Sequence, residues 1–279
     1  MPRKRFELAV IGTLIVCIIG YAGVGLVSTG DRVANADRTL NVVVSHQNTL
    51  NATFSDINSQ LGALTANATF SPRDAVALVD RSVASSELAG KTINADDASL
   101  VAAQRELRSD RWLTMLGSSN LDREANRIAH ARNALAAART IADDKTLEGR
   151  FWRSLYGALA DLAALNSQST AGDLEAARST LATMKAAVDQ ASEQSSAPPL
   201  PADLVQLTKD LRAFVNDYGK KLDAQLARDD EGAAASQASV DADLSRIATY
   251  SIDSIGTQID DFYRPMIARF NSEIAAATA

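Results

Sequence analysis

An all-α protein is expected from this sequence: an N-terminal transmembrane helix followed by an extracytoplasmic, antiparallel helical bundle with coiled-coil-like seams. Three observations predict it. An uncharged apolar run of 20 residues, Leu8 to Val27, stands behind the basic residues Arg3, Lys4 and Arg5. Beyond it, apolar residues recur at spacings of three and four, and no segment shows the period-two alternation of a strand. Finally, 46% of residues are hydrophobic but only 5% aromatic, so a core must come mainly from Leu, Ile, Val and Ala. Small side chains of this kind suit helices that approach closely.

At about 1.5 Å per residue, the Leu8–Val27 run reaches roughly 30 Å, the thickness of a bilayer hydrocarbon core. Its basic N-terminal flank predicts a cytoplasmic N-terminus and an extracytoplasmic remainder. A cleaved signal peptide is the competing expectation, since Ala34-Asn35-Ala36 offers small residues for cleavage. Against it, the run exceeds the roughly 7–15 residues of a typical signal h-region, and Ala36 falls within a helical seam. Cys17, the single cysteine, lies mid-run as a packing residue, and Val16 before it does not suit a lipobox.

Taking Arg3, Lys4, Arg5 and Glu7 from the 28 basic and 34 acidic residues leaves an exported excess of eight negative charges. Nucleic acid and anionic membrane surfaces are therefore not expected partners.

The sharpest pattern is Val33, Ala36, Leu40, Val43, Gln47, Leu50, Phe54, Ile57, Leu61 and Leu64, an unbroken heptad seam in which Gln47 alone is polar. A polar residue at such a position can fix register at a cost in stability. Ser71-Pro72 has the order of an N-cap followed by a first-turn proline, and it opens a short helix expected to close at Gly90. A less regular helix is expected from Asp96-Asp97 through Leu100, Leu107, Trp112 and Met115 to Gly117. The next has an inner face of Leu121, Ala125, Ile128, Ala131, Leu135 and Ala138, with a boundary at Asp143-Asp144. Leu147, Phe151, Leu155, Ala158, Leu162 and Leu165 continue in a further helix, and Leu174, Ala177, Leu181, Met184, Val188 and Ala191 form a second strict seam.

Ser195 to Pro201, with three prolines, reads as a short extended linker. After it come Leu204, Leu207, Leu211, Phe214, Tyr218 and Leu222, a polar stretch Arg228–Ser236, and a last helix using Val240, Leu244, Ile247, Ile255, Ile259, Phe262, Met266 and Phe270. Pro265 is expected to kink or end that helix near Arg264. The expected organisation is a cytoplasmic tail and signal anchor over 1–29, a helical bundle over 30–194, the linker over 195–201, and a C-terminal helical region over 202–279 packing on the bundle.

No motif names a reaction. His46 and His130 are isolated, no H-E-x-x-H, C-x-x-C, G-x-S-x-G or phosphate-loop pattern occurs, and the acidic doublets lack calcium-loop spacing. No catalytic, cofactor-binding or metal-binding residue is expected. Trp152 and Tyr156, four apart on one helix face between Arg150 and Arg153, and the seam residues Gln47, Leu50 and Phe54 are the expected contact surfaces for a protein partner or for self-association.

The order of basic tail, apolar run, heptad helix and further helices resembles the extracytoplasmic four-helix sensor modules of bacterial chemoreceptors and the N-terminally anchored helical LemA-type proteins. The resemblance is one of architecture and carries over no site residue; a second membrane span and a cytoplasmic module, both present in chemoreceptors, are not expected here. The functional expectation is a non-enzymatic, single-pass envelope protein acting as an interaction, scaffold or accessory module. The alternative is a bundle that binds an unidentified small molecule and signals through a separate membrane partner.

Overall fold

The structure, a computed structural model, describes residues 28–49, 52, 71–109 and 118–279. These residues are all-α, in a helical bundle of seven helices: α1 (28–49), α2 (Pro72–Arg108), α3 (Ser118–Thr170), α4 (Leu174–Gln194), α5 (Ala202–Ala227), α6 (Asp230–Ile247) and α7 (Ile252–Thr278). No helix among the described residues is long and apolar enough to cross a membrane. The Leu8–Val27 run lies outside the described residues, as do Leu50, Phe54, Ile57, Leu61, Leu64, Trp112 and Met115.

The described residues fall into two packing units. Unit 1 takes in those of 28–49, 91–138 and 267–279, and unit 2 those of 71–90 and 139–266. In unit 1 the first seam turns inward, with Ala36, Leu40, Val43 and Gln47 all buried. They are covered within one chain by helices that also bury Ile93, Leu100 and Leu107 of α2 and Ile128, Ala131 and Leu135 of α3. Arg32 Nη1 of α1 donates to Ser109 O just past α2 at 2.6 Å, while His46, fourteen residues later, meets Asp96. Advancing α1 therefore meets receding α2, the signature of antiparallel neighbours.

In unit 2 the core joins Phe151, Leu155 and Leu165 of α3, the α4 seam, Leu204 to Leu222 of α5, Val240 of α6, and Ile255, Ile259 and Tyr263 of α7. Asp173 caps α4 by accepting from Ala176 N at 3.1 Å, and Gly172 takes φ 75° in the preceding turn, where a side chain would be strained. Ser195–Pro201 does not run extended. Leu200 N donates to Ala197 O at 2.9 Å, so the segment turns back on itself and α4 and α5 share one core. Three prolines suit a tight reversal as well as a stiff spacer, because they lack donors and have fixed φ, and burial of the two amphipathic faces decides between these.

Four boundaries differ from those the pattern predicts, two where burial overrides a local signal and two where local caps and turns divide the chain elsewhere. Gly90 does not close a helix: α2 runs through it to Arg108, since Val79, Ala89, Ile93 and Leu100 form one buried stripe whose burial exceeds the roughly 1 kcal/mol a helical glycine costs. Asp143-Asp144 likewise lies inside α3, which is continuous from Ser118 to Thr170. The stretch Arg228–Ser236 is no loop beyond Asp229. Arg228 takes a left-handed conformation (φ 57°) that ends α5, and Asp229 caps α6 through Gly232 N at 2.9 Å. The last helix, expected to include Val240, Leu244 and Ile247, is instead divided at 248–251, so those residues belong to α6.

Pro265 neither ends nor interrupts the helical assignment of α7. Pro265 and Asp261, whose carbonyl loses its intrahelical donor, are both exposed, so water can satisfy that oxygen.

Helices α2 and α3 approach closely at Gly149, where a Cβ would stand 2.5 Å from Val83 Cγ2. Valine is stiff at χ1 and cannot easily swing aside. Gly149→Ala is expected to lower stability by about 1–2 kcal/mol despite alanine's better helix propensity, because overpacking costs about 1–3 kcal/mol against a gain of about 1. Urea denaturation of the variant checks the sign; a stabilised variant would mean that the helices can part at no cost.

Candidate functional site

The α3 positions 144, 148, 152 and 156 fall at four-residue intervals and share one helix face. They place Asp144, Glu148, Trp152 and Tyr156 in a stripe, and α7 adds Tyr263. Glu148 is its electrostatic centre. Its Oε2 accepts from Lys145 Nζ at 2.9 Å and from the Tyr263 hydroxyl at 3.1 Å, and Lys145 Nζ also sits 4.4 Å from the centroid of the Tyr263 ring. Only 13% of the Glu148 side chain is exposed, and Tyr263 is buried, so these charge-assisted contacts act in a partly desolvated setting.

The surroundings shift several groups in a consistent way. Burial, then the charge of Glu148, pushes the Tyr263 phenol far above its ordinary range, so it remains a neutral donor. The same two causes raise Tyr156. Burial, then the charges of Asp143 and Glu148, raises the Asp144 carboxyl. Perturbed groups gathered around one carboxylate mark a candidate site, although ion-pair networks that hold a fold together perturb them too. Chemically the arrangement is a seat for a cation between the Glu148 carboxylate and the face of Tyr263, and Lys145 occupies it.

Trp152 and Tyr156, expected together on one face, stack at 5.7 Å with 24° between their planes. Trp152 also meets Phe151 edge-on at 5.2 Å and packs against the unit 2 core, leaving both residues of the pair half-buried. The flanking arginines are spent on α2: Arg150 pairs with Glu87 and Arg153 with Asp80, each at 3.0 Å. Gln47, the other candidate contact residue among those described, belongs to unit 1 and is not surface. It is 6% exposed, and its Nε2 donates to the buried Asp96.

A second polar network links α5 and α6. The Tyr250 hydroxyl donates to Asp210 Oδ2 at 2.6 Å, and Arg246 pairs with Asp243 and reaches Asp210 at 3.8 Å. Asp243 is buried, its Oδ2 has no hydrogen-bond partner among the described residues, and burial raises its carboxyl above the ordinary range. Among the described residues no group of three or more His, Cys, Asp or Glu converges as a metal site.

Sequence reasoning overlooked Glu148, Tyr263, Asp210, Asp243 and Tyr250. Tyr263 had a signal: Ile255, Ile259 and Tyr263 recur every four residues, and choosing Phe262 for the inner face was one residue out, since Phe262 is 37% exposed. The acidic partners had none, because an inward carboxylate looks like any other helix-surface charge until its neighbour is known.

Fold and site together define a class, an all-α helical bundle whose helices are cross-linked by half-buried and exposed ion pairs. In comparisons with known proteins no family model matches the chain, and no curated protein or solved structure is significantly similar to it.

Proposed function

We propose that this chain is a single-pass, membrane-anchored protein of the cell envelope. Its N-terminus is cytoplasmic and its helical bundle extracytoplasmic, where it works without catalysis as an interaction or scaffold module. The observation that carries the reading is the 20-residue uncharged run Leu8–Val27 behind Arg3, Lys4 and Arg5, followed directly by the first described helix at residue 28. Support for a scaffold comes from how the polar side chains are spent. Arg127 alone joins Asp37 of α1, Glu124 of α3 and the Ala277 carbonyl of α7 within unit 1, and Arg212–Asp189 and Arg178–Asp223 tie α4 to α5 in unit 2. Cross-helix pairs of this kind hold a surface in place for a protein partner.

The full-length protein is expected to stay in the membrane fraction after alkaline carbonate extraction. Its bundle should be cut by protease added to the outside of opened cells, and its intact mass should include residues 1–36. Recovery of a soluble form lacking those residues would overturn the anchor. In-cell crosslinking from exported positions then tests the scaffold: one reproducible envelope partner supports it, and only self-crosslinks would shift the reading to self-association.

The second reading, a small-molecule-binding sensory bundle, is favoured by the Glu148–Tyr263 seat with the Trp152–Tyr156 stack beside it. A cationic ligand that displaced Lys145 would stabilise the protein by about 2.7 kcal/mol at 100 times its dissociation constant. A thermal-shift screen of organic amines looks for that rise.

A further inference from the structure

Helix α6 offers little apolar surface to its neighbours. Nine of its 18 residues are Ala, Ser or Gly, and Val240 and Asp243 alone are buried, with Ile247 partly so. Hydrophobic burial therefore does little to hold α6 on α5, and the second of its inward residues is an acid. The Asp243 side chain is 3% exposed. Its Oδ1 accepts from Arg246 Nη2, one turn on, while Oδ2 is enclosed and has no hydrogen-bond partner among the described residues.

The charges around Asp243 do not balance it. From α5 it faces Asp210, Asp217 and Lys220, so that with Arg246 three carboxyl groups share two cations. Lys220 is committed to Asp217 at 2.7 Å, and Asp210 accepts from the Tyr250 hydroxyl at 2.6 Å. Arg246, which pairs with Asp243, is 54% exposed and also reaches Asp210 at 3.8 Å, so water and salt weaken its hold. A carboxylate that is buried, half unsatisfied and near two like charges is costly, whereas the neutral acid is not.

We propose that α6 is a pH-responsive flap, lying closed on α5 while Asp243 is protonated and loosening as Asp243 ionises. Protonation removes the repulsion from Asp217 and Asp210, and it turns an enclosed acceptor with nothing to accept into a hydroxyl donor among carboxylates. The Asp243 carboxyl is raised above its ordinary range, first by burial, against Arg246, and further by Asp217 and Asp210, against Lys220. A carboxyl raised in the folded state contributes stability that is full below its unfolded value and is lost as pH rises through the folded one. Closure therefore belongs to acidic solution, and loosening to the approach to neutrality. The left-handed Arg228 before α6 and the turn over 248–251 after it are where the backbone can take up the movement. This inference does not depend on the anchoring proposal.

Hydrogen exchange of the full-length protein in detergent micelles, corrected for intrinsic rates, tests it at about pH 4.5 and about pH 7, a window in which ordinary carboxylates stay mostly ionised. Protection over 236–247 is expected to fall by about two- to fivefold on going to the higher pH, while 181–191 of α4 stays level. Asp243→Asn, which copies the neutral form, should keep α6 protected at both pH values. Asp217→Asn removes one of the like charges, and it should raise protection of α6 at the higher pH and shrink the response. A flat wild-type response, or one that persists unchanged in Asp243→Asn, would overturn the flap. Should that variant fail to fold, Asp217→Asn decides: a response of the full wild-type size would equally sink the proposal.

Discussion

Phe151→Ala is expected to be among the most damaging single changes, lowering stability by about 3–5 kcal/mol. Phe151 is fully buried, lies in the cluster that joins α3, α4, α5 and α7, and meets Trp152 edge-on. Removing the ring forfeits its transfer free energy, and the void cannot be refilled cheaply, because close-packed helices relax only in part. For a protein of this size a loss of that order lowers the melting temperature by about 10 °C. Because the chain has two units, one global transition is not assured, so the measurement should be local. Hydrogen exchange should show protection lost over 151–165 and 204–222 well before 36–47. A loss under about 1 kcal/mol would mean that unit 2 is not packed as described.

Glu148→Ala is expected to cost about 2–3 kcal/mol, from a different source. The substitution strands two donors, the Lys145 ammonium and the Tyr263 hydroxyl, in a setting where Lys145 is only 22% exposed and Tyr263 is buried. Breaking one side of a buried ion pair costs about 3–5 kcal/mol, discounted here because Lys145 can still reach water. Replacing Glu148 by Leu together with Lys145 by Met should recover part of the loss, since it removes the stranded ammonium and leaves only the Tyr263 hydroxyl without its acceptor. If the single and double variants were equally unstable, packing rather than charge would be what Glu148 contributes.

The same site sets a pH limit of known sign. The Tyr263 phenol is raised by burial, by the charge of Glu148 and by its hydrogen bond to that carboxylate, so the folded state holds its proton where the unfolded chain gives it up. This contribution is full below about pH 10, the ordinary tyrosine value, and declines as pH rises beyond it. Tyr250, pushed up to about 12 by burial first and its hydrogen bond to Asp210 second, acts in the same direction. Alkaline urea titrations should therefore show stability falling above about pH 10, and less steeply in Tyr263→Phe.

Much of unit 1 and unit 2 was legible as pattern. The seams Ala36–Leu40–Val43–Gln47 and Ala177–Leu181–Met184–Val188–Ala191 are buried where three-four spacing put them, as is the α5 face from Leu204 to Leu222. Periodicity survives because each such helix buries one face, and burial of that face is what the spacing encodes. Where local signals competed with burial, burial won. Gly90 and Asp143-Asp144 are punctuation that a longer buried stripe overrode, at a cost of about 1 kcal/mol for the glycine, and Pro265 is tolerated because it and Asp261 are exposed to water.

The candidate sites were legible only in part. Trp152 and Tyr156 do stack, as their spacing implied, yet the arginines beside them turn to Glu87 and Asp80 of α2. Gln47 sits in the core as the seam required, but its partner, Asp96, is 49 residues away on another helix. Composition and spacing along one chain carry the helical class, the inner face of most helices and the apolar N-terminal run, because these depend on neighbours three or four residues away. Which carboxylate meets His46, His130 or Tyr250 depends on segments 40 to 143 residues apart in sequence being brought side by side, and the seat of Lys145 depends on Tyr263 arriving from α7 to complete it. Such meetings follow from packing whole faces together, and only the folded arrangement decides them.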